Sequence, residues 1–306
     1  MTEFTITPDG AFSLEAAAGF GFGPNMGRPV AEGVRMRLAF VTDDFQSQAY
    51  VALNQNDDGI VAGTIESDAA PDAVVAQVKR ILSLDHSGEE WASVGEKDPV
   101  LGGMQRDHPG LRPVLFHSPY EAAAWSIISA RRQRSQGVIV RNRISAAFGR
   151  TYGEGANAML AFPTPERLLE LREVQSLDAT KVERLHAVAR AALDGQLNPA
   201  ELLSVSTEEA LDRIQKLPGI GPMYSTLILL RSTGATDVIT GMEPRIAGYL
   251  GHFYGLGGPA TSQQIAAILD GWHPFRTWGT VLTRVAGDSL GLVLPATPPF
   301  ADRRRR

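Results

Sequence analysis

The chain of 306 residues contains no cysteine. That absence removes disulfides, thiolate zinc sites, iron–sulfur clusters and cysteine nucleophiles together. Long apolar runs are missing too: nothing approaches the ~20 residues needed to span a bilayer. The opening residues MTEFTITPDG lack the basic and apolar regions of a secretory signal. A cytoplasmic location is the expectation, with no membrane partner. The six histidines (His86, His108, His117, His186, His252, His273) are scattered and form no HExxH pair, which argues against a metal enzyme. An isolated His186 on a helical stretch is read as a surface or satisfied side chain. GxSxG elbows and Walker loops are absent. Excess positive charge is also lacking: the net charge is −5, so any nucleic-acid role needs a local basic face.

What remains is ordinary globular composition, 43% hydrophobic and 21% charged, in a chain long enough for two or three domains. The first part reads as a mixed α/β unit. Residues 34–41 alternate, with Arg35, Arg37 and Ala39 on the open face of a half-buried strand. Strand signals continue at 49–53 and 59–65 around a turn ending in Gly59. Residues 71–84 form a helix with Val74, Val75, Val78, Ile81 and Leu82 in one apolar stripe. The glycines of GFGFGPNMG (19, 21, 23 and 27) do not fit dinucleotide-binding spacing and read as a loop. From about residue 86 the chain is helix after helix, divided by Pro and Gly, which sets domains of 1–85 and 86–306. Ser118 and Glu121 have the spacing of a capping box at the start of one of these helices.

Three features carry chemistry. The first is Leu217-Pro218-Gly219-Ile220-Gly221-Pro222, a glycine hairpin in a helix-hairpin-helix over 208–231. Before it, Ala210, Leu211, Ile214 and Leu217 recur at helical spacing; after it, 223–230 is apolar nearly all round, as in a helix packed on most sides. Glycines there bare the backbone amides, and Pro222 suits a helix's first position. Amides at a helix N-terminus suit a phosphate. The second feature is the basic run Arg131, Arg132 and Arg134, with Arg141 and Arg143 following. Both a phosphate grip and a solvated helical face fit it. The third is Glu243, immediately before Pro244 and a new helix. Glutamate is not a favoured N-cap, so a chemical role and a dipole-favoured acid both fit.

From Ser118 to Leu290 the sequence resembles the helix-hairpin-helix DNA glycosylases, specifically their 3-methyladenine DNA glycosylase II branch. LPGIG before an apolar helix, then ATDVI, then an acid before a helix, is that superfamily's pattern. HPGLRP, SPYEAAAWSIIS, AFPTPERLLEL and WHPFRTW extend it. The resemblance implies an α+β fold. An N-terminal antiparallel sheet with helices, like half of a TATA-binding protein, precedes an all-α core of two helical subdomains. It implies a monomer acting in base-excision repair on double-stranded DNA that contains a damaged base. Such enzymes flip the nucleotide and hydrolyse its N-glycosidic bond. It implies no cofactor, apart from a monovalent cation bridging the hairpin to a DNA phosphate.

Residue by residue, the resemblance places the catalytic carboxylate on Glu243, where the family has aspartate. The extra methylene adds about 1.5 Å of reach. Asp237 falls at a structural position. DNA contacts fall on Gly219, Ile220, Gly221, Met223, Arg131, Arg132 and Arg134, with Arg131 near the position of the wedge that replaces a flipped base. Met223 stands where bifunctional relatives carry a lysine nucleophile, so a monofunctional glycosylase is expected. The base pocket falls on Met223, Leu227 and Arg284, none aromatic, and the arginine would repel a cationic base. Trp272 and Trp278 could supply an aromatic face, against which core packing is weighed. The alternative to an active glycosylase is a DNA-binding or lesion-sensing protein that has lost the chemistry.

Overall fold

The computed structural model describes residues 1–20, 23–24, 36–155, 158–238 and 244–292. The first elements are β1 (Thr2–Ile6), α1 (Leu14–Gly19), β2 (Met36–Val41), β3 (Gln48–Gln55), β4 (Val61–Ser67) and α2 (Pro71–Ile81). Next come α3 (Gly88–Lys97), α4 (Pro99–Asp107), α5 (Pro119–Ser129), α6 (Arg134–Phe148), β5 (Thr151–Tyr152) and β6 (Met159–Leu160). Then follow α7 (Pro165–Leu168), α8 (Ala179–Leu193), α9 (Pro199–Leu203), α10 (Thr207–Gln215) and α11 (Pro222–Ser232). The last are α12 (Pro244–Phe253), α13 (Ser262–Asp270) and α14 (Arg276–Ser289). No helix among the described residues is long and apolar enough to cross a membrane.

Packing divides the chain into two units, residues 1–88 with 110–235 and residues 89–109 with 236–306. After Gly88 the chain passes from the first unit to the second. The chain then returns to the first unit at Gly110, so the helical part is shared between the two units.

In the first unit the sheet is antiparallel throughout, in the order β1-β4-β3-β2. Phe40, Val51, Leu53, Val61 and Ile65 pack with Leu14 and Ala17 of α1 and with Val74, Val78 and Ile81 of α2. The strands at β2, β3 and β4 follow from alternation; β1 and α1 were not read from the sequence. Gly19 ends α1 rather than lying in a loop. Gly21, Gly27 and Arg35 lie outside the described residues. Ala39 departs from expectation, being buried with Tyr152 and Ala161. The small β5–β6 hairpin covers that part of the other face. Helix α2 stops at Ile81, short of 84, because Ser83 takes a left-handed backbone (φ 54°) and the Leu84 N–H bonds back to Lys79 O at 2.7 Å.

Helix α5 is the centre of this unit, buried from Pro119 to Ile128. A helix apolar nearly all round belongs inside a core, and this one packs against α6, α8 and α11. Its start differs from the capping box. Ser118 Oγ does accept from the Glu121 N–H at 3.2 Å, but the Glu121 side chain does not reach back. It accepts instead from the Val41 N–H (3.0 Å), Arg141 Nη2 (3.1 Å) and His117 Nδ1 (3.3 Å). Arg141 is therefore a core ion-pair partner, not part of a basic surface. Burial alone would raise the Glu121 carboxyl; His117, Arg141 and the Val41 amide outweigh it and hold it at about 2.

A second polar group fixes α11. Arg80 Nη2 donates to both Asp43 carboxylate oxygens at 2.7 and 2.8 Å, while Nη1 donates to Ser232 O at the end of α11. Burial pushes the Asp43 carboxyl up, and Arg80 pulls it back. The Phe116 N–H donates to Arg231 O at 2.7 Å, completing the hold on that helix end.

In the second unit, Asp98 caps α4 through Oδ1, which accepts from the Val100 and Leu101 N–H groups. Its Oδ2 accepts from Trp272 Nε1 at 2.9 Å and from the Tyr254 hydroxyl. Trp91, Phe275 and Trp278 form an aromatic cluster beside it.

Glu121→Gln is expected to destabilise the protein by about 3–5 kcal/mol, because it leaves Arg141 buried without its counter-charge. The folded carboxyl titrates at about 2 against 4.5 ordinarily. Its stabilisation is thus complete above about pH 4.5 and is lost as pH falls from there toward about 2. Urea unfolding of both proteins should show the difference shrinking across that window; a pH-independent difference contradicts the ion-pair account.

Candidate nucleic-acid interface

The hairpin is built from the outside in. Ser206 Oγ caps α10 by accepting from the Glu209 N–H at 3.2 Å. Ala210 and Ile214 are buried, Leu217 nearly so, and Leu211 is half-buried against the same core. The turn then closes tightly, with the Leu217 N–H on Ile214 O (3.2 Å) and the Ile220 N–H on Leu217 O (3.0 Å). Ile220 is buried and anchors the loop, while Pro218, Gly219 and Gly221 are exposed. Gly219 has φ 89°, the left-handed region that disfavours a side chain. Gly221 is the extended N-cap of α11, with open space where a Cβ would stand. Pro222 occupies the first position of α11 as expected. The N–H groups of Gly219 and Gly221 have no acceptor among the described residues. Exposed donors at a helix N-terminus are an anion site.

Helix α11 is less enclosed than its composition suggests. Ser225, Ile228, Leu229 and Ser232 are buried, but Met223 is 70% exposed and Tyr224, Leu227 and Leu230 are half-buried. Met223 and Leu227 are one turn apart, so the two proposed pocket residues of this unit share a face.

The basic run lies at the turn from α5 to α6. Arg131 is exposed and has φ 59°, a strain of roughly 1–2 kcal/mol for a residue with a side chain. Neighbours impose it. The Arg132 N–H reaches Ser129 O (3.0 Å), Arg132 Nη1 reaches Ile128 O (2.9 Å), and Lys181 Nζ reaches Ala130 O (2.8 Å). Arg134 donates to Gly23 O and Arg143 to Gln175 O. The acceptors shown for these arginines are backbone carbonyls. Lys181 and Arg184, both on α8, were missed by the sequence reading. The Arg184 side chain lies against the hairpin: a Cβ at Gly219 would stand 2.8 Å from its Cδ and 3.0 Å from Nε and Nη1.

Glu243 lies outside the described residues, and the description resumes at Pro244, where α12 begins. Asp237 is committed to structure in the second unit, accepting from His273 Nδ1 at 2.7 Å and pairing with Arg276 at 3.3 Å. The same segment is pinned by the Thr277 N–H on Thr236 O and by the Val238 N–H on Thr277 Oγ1. Trp272 is fully buried against Gly279, and Trp278 is buried in the aromatic cluster, so both serve as core. Arg284 pairs with Asp288 at 2.6 Å, and Asp288 also accepts from Tyr249 Oη at 2.5 Å. Its charge is thereby partly compensated, which weakens the repulsion expected of it. His186 is satisfied, with Nε2 2.9 Å from Leu171 O. No group of three acidic or histidine side chains among the described residues could hold a metal ion.

No protein-family model matches the chain. It is 23% identical over 162 residues to DNA-3-methyladenine glycosylase of Bacillus subtilis, covering 52% of this chain and about half (54%) of that protein's length. It is 27% identical over 187 residues to DNA-3-methyladenine glycosylase 2 of Escherichia coli, covering 58% of this chain and 61% of that one. Among solved structures, the 3-methyladenine DNA-glycosylase of Archaeoglobus fulgidus superposes with a TM-score of 0.73 at 21% identity, over 95% of this chain and 100% of that one. A Clostridium acetobutylicum 8-oxoguanine glycosylase/lyase in complex with double-stranded DNA superposes with a TM-score of 0.61 at 16% identity, over 80% and 86%. The α+β architecture, the exposed glycine hairpin and these likenesses agree: the chain has the fold of the helix-hairpin-helix DNA glycosylases and is similar in sequence to their 3-methyladenine branch.

Proposed function

We propose that the protein is a monofunctional DNA glycosylase that releases a damaged base from double-stranded DNA in base-excision repair. The observation that carries this reading is the exposed hairpin at 217–222, with two amides unpartnered among the described residues, on a glycosylase fold. The amides hold a backbone phosphate, which fixes the duplex without reading its sequence. A monovalent cation at the same place would rely on hairpin carbonyls, since residues 217–222 carry no carboxylate. Arg131, on its strained turn, is the side chain offered to the gap left by the flipped nucleotide. Arg132 and Arg134 add positive charge beside it. Met223 and Leu227, one turn apart on α11, border the base.

Glu243 supplies the carboxylate. It stabilises positive charge on the sugar as the C1′–N bond breaks and orients the water whose oxygen joins C1′. The base leaves with the bonding electrons and takes up a proton. Met223 has no amine, so no Schiff base forms at that position and the strand stays intact.

Glu243→Gln is expected to abolish base release from a panel of modified duplexes while leaving duplex affinity within a few-fold. Glu243→Asp, which withdraws the charge by one methylene, should change the rate on alkylated duplex by up to ~100-fold. Tight binding with no base released from any lesion contradicts the enzyme and leaves a lesion-binding protein. At the hairpin, Gly219→Ala meets a left-handed backbone and should cost about 1–2 kcal/mol in thermal unfolding. Gly221→Ala should cost under about 1 kcal/mol. Both should weaken binding to every duplex sequence by the same factor; sequence-selective loss contradicts a phosphate contact.

A further inference from the structure

The hairpin and the α5–α6 turn bring Arg131, Arg132, Lys181 and Arg184 together on the first unit. Arg184 makes no hydrogen bond and no ion pair among the described residues, although the residue is only half-buried and its guanidinium lies against Gly219. Arg131 is likewise without an ion pair or hydrogen bond there. Between them stands Lys181, one helical turn before Arg184 on α8, whose Nζ donates to Ala130 O at 2.8 Å and to Ile128 O at 3.4 Å. Burial lowers the Lys181 ammonium's affinity for its proton, and the charges of Arg132, Arg184 and Arg131 lower it further, against a partial offset from Asp178. Lys181 thus feels the charges of three neighbouring arginines, in a chain with net charge −5, and an anion bound there would relieve it.

We infer that Arg184 is a second backbone-phosphate contact, continuous with the hairpin amides and held in place by the missing side chain of Gly219. The guanidinium presents a planar fork suited to two phosphate oxygens. Its position gives Gly219 a second reason to be glycine, besides its φ of 89°: a Cβ there would push the fork away. Lys181 is a positioning residue. Its ammonium ties down the Ile128 and Ala130 carbonyls before the turn that carries Arg131, so the turn and the hairpin present one charged surface. The inference rests on the proposed DNA binding and extends it from the hairpin to α8.

The test is the salt dependence of binding to an undamaged duplex, measured by fluorescence anisotropy with the full chain. Each phosphate contact contributes about one to the slope of log K against log salt concentration. Arg184→Gln should reduce that slope by about one and weaken every duplex about tenfold at low salt, the loss of one charge-assisted contact. Arg184→Lys should keep the slope while losing part of the affinity, since charge remains and the fork is gone. Arg167→Gln, at an arginine already paired with Glu170, should leave the slope unchanged. If Arg184→Gln keeps the wild-type slope, or changes it no more than Arg167→Gln does, the inference is overturned. Tighter binding to polyglutamate than to duplex would overturn it in favour of an acidic protein partner. A wild-type protein with no duplex affinity would sink the broader functional reading instead, so the two failures are distinguishable.

Discussion

A protein with net charge −5 can hold a polyanion only where its cations are gathered and left without carboxylates. That gathering works against the folded state through like-charge repulsion, so it must be enforced by the surrounding structure. Here it is enforced by hydrogen bonds to carbonyls. Lys181 and Arg132 bond the carbonyls at the end of α5, which satisfies their donors without cancelling their charge. The same economy appears at the hairpin, where glycine exposes amides that a side chain would cover. In the proposed function, donors and cations together meet phosphate and are indifferent to base sequence.

The rest of the first unit fixes that surface. Helix α11 begins at the hairpin and ends where Arg80 and the Phe116 amide hold its last carbonyls. Arg80 is in turn held by Asp43, next to the sheet. Helix α5 ends at the charged turn and carries Glu121 in its first turn, which ties it to β2 through the Val41 amide. The N-terminal sheet is thus tied, through two buried polar groups, to the far ends of both helices that carry the proposed interface. Buried ion pairs of this kind add little net stability, but removing one partner is costly. They are suited to fixing helix position.

Periodicity and turn chemistry made the strands at β2 to β4, helix α2 and the hairpin legible in the sequence. Gly219, Gly221 and Pro222 carry local conformational demands, so their roles could be read locally. Arg80, Glu121 and Arg184 could not be read this way. Arg80 bonds a carbonyl 152 residues away and Glu121 an amide 80 residues away, and no local rule connects them. Glu121 even mimicked a capping box, because the spacing from Ser118 is right and only the side-chain direction is different. Ala39 looked exposed because a two-residue strand more than a hundred positions later covers it. The arginine run likewise mixed two kinds of residue: Arg141 is an interior ion-pair partner, while Arg131 is exposed on a strained turn. Glu243 was named by resemblance and motif order.

Hydrolysis of an N-glycosidic bond without strand cleavage is measured by incubating the wild-type protein with methylated duplex DNA, then quantifying free bases by mass spectrometry and abasic sites by aldehyde labelling. A monofunctional glycosylase releases modified bases and abasic sites in equal amounts, with the strands intact until alkali is added. No released base, or strand breaks formed in step with base release, would contradict that reading.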